Sequence, residues 1–97
     1  MGVLIIERRA DHYAMMRSVK LLCDRVELAS LKRGEQVTLD VPDGGHVFRA
    51  VIDWAGSPEV HALVTPDRPL RGVMSFSAGA SWKAFLKPRD VIDLRIE

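Results

Sequence analysis

A single cysteine, Cys23, occurs in the 97 residues of this chain. One thiol excludes an internal disulfide framework, leads to the expectation of no Cys-based zinc site, and fits a reducing compartment. Aromatic residues are scarce, at 6%, so a core must be filled chiefly by aliphatic side chains. Charge of one sign is also missing: 14 basic and 13 acidic side chains leave a net charge of +1. That balance supplies no long-range field for DNA, RNA or an anionic membrane, and nucleic acid is not an expected partner. No apolar run approaches the roughly 20 residues of a membrane span. The start, Met1-Gly2-Val3-Leu4-Ile5-Ile6-Glu7, has no basic segment, and its apolar stretch is too short for a signal peptide. Ile6 stands where a myristoylation signal has Ser or Thr. The expectation is a soluble, cytoplasmic chain without membrane insertion.

What the chain does contain is ordinary globular material, 47% hydrophobic and 28% charged. That usage supports one domain over residues 1–97 with a modest core. The apolar residues recur with a period of two. Val3-Leu4-Ile5-Ile6 is a short apolar run rich in β-branched residues, suited to a strand buried on both faces or to one entering a sheet from its end. Val19, Leu21 and Cys23 alternate with Lys20 and Asp24, although Leu22 interrupts the polar phase. Val26 and Leu28 alternate with Glu27 and Ala29, and Val37, Leu39 and Val41 with Thr38 and Asp40. Val60, Ala62 and Val64 alternate with His61, Leu63 and Thr65; Val73 to Ala78 reads as a further strand. Ile92, Leu94 and Ile96 close the chain against Asp93, Arg95 and Glu97. Residues 10–18 and 81–87 lack this alternation and admit either a loop or one helical turn, the second capped by Ser81. About six to eight short strands without a long helix mean an all-β sandwich or small barrel.

The stretch "VPDGGHVFRAVIDW", residues 41–54, reads as a turn feeding a strand. Pro42 presets φ, Asp43 bonds its own backbone, and glycine tolerates positive φ. Phe48, Ala50, Ile52 and Trp54 share one face. A four-residue loop, Pro42 to Gly45, sets Leu39 opposite Phe48 and Val37 opposite Ala50, so the two apolar sets coincide. A hairpin with that register is expected, with Gly45 left-handed and His46 opposite Val41 at the mouth of the buried face. His46 then reads as a structural histidine that packs its ring and bonds a turn backbone group.

The segment "DRVELASLKRGEQVTLDVPDGGHVFRAVIDW" resembles the small bacterial β-domains of the PEGA type and their relatives of unknown function. Asp24-Arg25 stands at the first turn of that pattern, Leu31 and Gly34 in the linker, and Pro42, Gly45 and His46 at the second turn. The match runs over residues 3–66. Arg25 replaces the usual glycine of the first turn, and the signature tetrapeptide is absent. The resemblance implies an immunoglobulin-like sandwich acting as a non-catalytic binding or structural module.

Chemistry-bearing motifs are few. His12, His46 and His61 lack ligand spacing, and no metal or cofactor is expected. Cys23 shares a phase with Val19 and Leu21, which makes it a buried thiol rather than an exposed thiolate. "FSAGAS" is not a nucleophile elbow, and neither "PDGG" nor "RGEQ" is a phosphate loop. The basic residues lie among acidic ones and read as solvated surface. The alternative reading is a small hydrolase or metal-assisted enzyme with a site assembled from loops around His46, His61 and Asp residues such as Asp43 or Asp53. The favoured reading is an interaction module without catalytic residues, partnered by another protein or by its own copy as a homodimer. Its expected contact surface is the apolar edge Val3, Leu4, Ile5 and Ile6, with Tyr13 and Trp82 as exposed aromatics.

Overall fold

The computed structural model describes residues 1–9, 18–52, 55–76 and 92–97. Its strands are β1 (Gly2–Arg8), β2 (Val19–Cys23), β3 (Val26–Leu31), β4 (Gln36–Val41), β5 (Gly44–Ile52), β6 (Ala55–Gly56), β7 (Val60–Val64), β8 (Leu70–Phe76) and β9 (Ile92–Ile96). One sheet has the order β4-β1-β8-β9, antiparallel except for the parallel pair β1 and β8. The other is antiparallel with the order β3-β2-β5, and β6 and β7 follow one another along the far edge of β5. Each layer is therefore four strands wide, and the two pack as an all-β sandwich. No helix among the described residues is long and apolar enough to cross a membrane.

The period of two decides what lies between the layers. Leu4 and Ile6 of β1 are fully buried, beside Leu39 and Val37 on one flank and Leu70 and Gly72 on the other. A Cβ at Gly72 would lie 2.5 Å from Ile6 Cδ1, so the glycine makes the room that Ile6 fills. Ile92 and Leu94 of β9 face inward as their alternation predicts. From the second sheet come Val19, Leu21 and Cys23, with Phe48, Ala50 and Ile52 beside them. Phe48 is fully buried and pairs with Cys23 on one side and Val60 on the other. Arg8, buried at the end of β1, donates from Nη1 to Leu31 O across the sandwich.

Several expectations are corrected. The hairpin between residues 37–41 and 46–54 does not form. Leu39 pairs with Leu4 in the first sheet, while Phe48 belongs to the second, and Pro42-Asp43 carries the chain from one layer to the other. A hairpin and a sheet-to-sheet crossing both turn Leu39 and Phe48 inward, so alternation alone does not separate them. The left-handed glycine is Gly44, at φ +117°, rather than Gly45, and His46 pairs with Ala62, not Val41.

In β3 a bulge opposite Leu21 and Leu22 shifts the phase, so that beyond it Ala29 and Leu31 face inward opposite Leu21 and Val19. Leu28 also packs against the core, and Val26, next to the turn and opposite Cys23, is 64% exposed. "AGSP" is not a turn: Ala55 and Gly56 already pair back onto Ile52 and Val51. β8 starts at Leu70, immediately after Pro69, rather than at Val73.

The apolar run Val3-Leu4-Ile5-Ile6 is not a free edge. β1 is hydrogen-bonded on both sides, and Leu4 and Ile6 are buried, so this strand cannot accept a partner strand. Its burial also alternates, with Val3 and Ile5 half-buried on the outer face. Tyr13, Trp54 and Trp82, Asp53, His12, and both segments read as loop or helical turn (10–18, apart from Ser18, and 81–87) lie outside the described residues.

Candidate functional site

Two features of the second sheet bear on function, and both start at the turn joining β2 to β3. Cys23 pairs with Val26, which leaves a two-residue loop, Asp24-Arg25. Both residues have positive φ, 50° and 70°. That is the signature of a type I′ hairpin turn, whose twist matches that of its strands. Aspartate tolerates the left-handed region, but arginine adopts it at a cost. Asp24 is fixed against β5 by its own backbone and side chain: its N–H donates to Val47 O at 2.8 Å, and Val47 N–H donates to Asp24 Oδ1 at 3.0 Å.

The other oxygen, Asp24 Oδ2, lies 2.6 Å from His46 Nδ1, and His46 Nε2 lies 2.7 Å from Pro42 O. Carboxylate and carbonyl oxygens both accept, so the imidazolium, donating from both nitrogens, satisfies both at once. The bond to Asp24 and then the bond to Pro42 hold the histidine above its ordinary value of 6.5. Reciprocally, the bond from His46 and then the one from Val47 hold the Asp24 carboxyl below its ordinary value. The ring of His46 also meets Phe48 edge-on, with centroids 6.3 Å apart. His46 thus clasps the β2–β3 turn to the β4–β5 crossing, and the expected bond to a turn backbone group is present. Cys23 Sγ lies 3.9 Å from Asp24 Oδ2, and burial first, then the Asp24 charge, raises its thiol pKa. The cysteine is buried, as its phase predicts.

Cys23, Asp24 and His46 form a cluster that no local spacing reveals. Asp24 and His46 are 22 positions apart, and only the pairing of Cys23 with Phe48 brings their strands into register. Of the residues weighed for an enzyme site, His46, His61 and Asp43 do not converge, and Asp53 lies outside the described residues. His61 pairs with Val47 and His46 with Ala62, so the two imidazoles leave β5 and β7 on opposite faces. Asp43 instead pairs with the N-terminal amine of Met1 at 3.3 Å.

The second feature is a groove of about 830 Å³ on the outer face of the same sheet. Leu22 and Val47 line its floor, and Arg25, Arg49, Pro58 and Glu59 line its rim. The leucine that interrupts the polar phase of β2 is therefore a groove residue. The far wall is a bulge, in which Ser57-Pro58-Glu59 spans the step between the Gly56 and Val60 pairings on β5. Fully buried Ser57 completes the ladder there: Ala50 N–H donates to its Oγ at 3.0 Å, and that hydroxyl donates to Pro58 O. Arg49 Nε donates to Ser57 O, which holds this guanidinium against the wall. Beside the groove, Leu63 is 65% exposed on the same face as His61, along a shallower depression between β5 and β7. Comparison with protein-family models, with characterised proteins and with solved structures gave no match.

Proposed function

We propose that this chain is a non-catalytic binding module that takes a partner protein on the outer face of its second sheet. The groove carries this reading. An apolar floor with charged groups of both signs around it suits a polypeptide segment better than a phosphate-rich polymer, for which the net charge of +1 offers no attraction. Arg25 supports the same reading, since it occupies a left-handed turn position that glycine fits without strain. Among the described residues no hydrogen bond or ion pair engages its guanidinium. A strained residue with its charge at a groove rim fits a role in binding. The likeness to PEGA-type appendage domains points the same way.

The test compares what the purified chain retains from a cell extract with what Leu22→Asp and Arg49→Glu retain, using a Thr38→Lys variant on the opposite sheet as control. A protein held by the parent and the control but lost from both groove variants supports the reading. Identical sets from all four would reject it. Light scattering over a concentration series then tells whether that partner is a second copy of this chain.

A further inference from the structure

We propose that Cys23, Asp24 and His46 bind a divalent transition cation of the zinc type at the mouth of the sandwich. Each offers one ligand atom, a thiol sulfur, a carboxylate oxygen and an imidazole nitrogen, and the three lie within 4.8 Å of one another. The supporting shell is already in place. His46 Nε2 lies 2.7 Å from Pro42 O, the second-shell contact that fixes the tautomer and aims the other ring nitrogen at a metal. Val47 N–H holds Asp24 Oδ1, which leaves Oδ2 turned toward His46 Nδ1 and Cys23 Sγ. The ligands stand on β2, its turn and β5, which are joined by backbone pairing, so the scaffold is rigid.

The geometry needs a small adjustment. Zinc–ligand bonds of about 2.0 Å to nitrogen or oxygen and 2.3 Å to sulfur imply ligand separations of roughly 3.3 to 3.6 Å at tetrahedral angles. The Asp24–His46 separation of 2.6 Å must open, and the Cys23–Asp24 separation of 3.9 Å must close slightly. Both are within reach of side-chain rotation at Asp24, whose side chain is 52% exposed. That exposure also leaves a fourth position to water. The Cys23–His46 separation, within 4.8 Å, must be brought to about 3.5 Å by rotation of those two side chains. Sulfur and imidazole favour zinc, cobalt, nickel or copper over calcium and magnesium. On binding, the thiol and Nδ1 protons pass to solvent and the cation takes their place. The site shares Asp24 with the groove lining but does not rest on the groove's being a binding surface.

The test titrates the untagged full chain, freed of metal by a chelator, with cobalt(II) as an optical probe. One equivalent should produce a thiolate-to-cobalt charge-transfer band, and zinc should displace it and raise the melting temperature. Cys23→Ser should abolish the band. His46→Gln and Asp24→Asn should each weaken binding by about tenfold or more, while His61→Gln should leave the titration unchanged. Circular dichroism verifies each fold; if Cys23→Ser does not fold, the His46 and Asp24 variants carry the test. Absence of the band in the parent chain would overturn the assignment. So would undiminished affinity in His46→Gln, which would place the metal on Cys23 with other ligands.

Discussion

Replacing Arg25 by glycine should stabilise the protein, although it removes a side chain and adds nothing to the core. Arg25 sits at φ 70° in a two-residue turn whose first residue, Asp24, is also left-handed. A residue with a Cβ pays roughly 1 to 2 kcal/mol in that region. Glycine removes the strain but widens the unfolded ensemble, which gives back about 0.4 to 1 kcal/mol. The net gain lies between about 0 and 1.6 kcal/mol; its midpoint of about 0.8 kcal/mol is, for a domain of this size, a rise of about 3 to 6 °C in melting temperature. Arg25→Ala isolates the cause, since it removes the guanidinium and keeps the Cβ; it should gain little or nothing. Urea unfolding of the three proteins measures the differences, and an unchanged denaturant slope confirms that they lie in the folded state's stability. If Arg25→Gly is no more stable than Arg25→Ala, the left-handed strain argument fails. The groove reading adds a signature: Arg25→Gly should bind its partner more weakly while folding better.

Phe48→Ala should destabilise by roughly 3 to 5 kcal/mol, as truncation of a fully buried aromatic does; a loss below about 1 kcal/mol in denaturant unfolding would contradict the packing. Ser57→Ala should lose roughly 1 to 3 kcal/mol, because it strands the buried Ala50 N–H, and Ser57→Thr should recover part of that loss if its hydroxyl reaches the same place. In chelator-treated protein the His46 ring should titrate above 6.5 by NMR, and that elevation should vanish in Asp24→Asn. The clasp's contribution to stability is then complete between the ordinary values of 3.8 and 6.5. It is lost as pH falls through the lowered Asp24 value and as pH rises through the raised His46 value. Thermal unfolding across pH checks this, and the parent should lose its advantage over His46→Gln at the alkaline end.

Much of the sandwich is legible along the chain. Alternation places Leu21, Cys23, Phe48, Val64 and Leu94 inside, and the structure buries each of them. It works because side-chain direction in a strand is a local property, reversed at every residue. Alternation fails where the local rule is broken. The bulge opposite Leu21 and Leu22 transfers the inward phase of β3 to Ala29 and Leu31.

Strand pairing is the other boundary of legibility. Residues 37–41 and 46–52 are inward-facing in either of two arrangements, and only the competition among all strands for partners puts Leu39 beside Leu4. For the same reason an apolar N-terminal run reads equally as an exposed edge or a sheet centre, and the structure makes it the centre. The candidate metal ligands follow that logic. Cys23 was legible as buried and His46 as a clasp on a turn, each from its own neighbours in the chain. Their meeting over Asp24 depends on the register of β2 against β5, a non-local hydrogen-bond pattern that neither segment encodes alone.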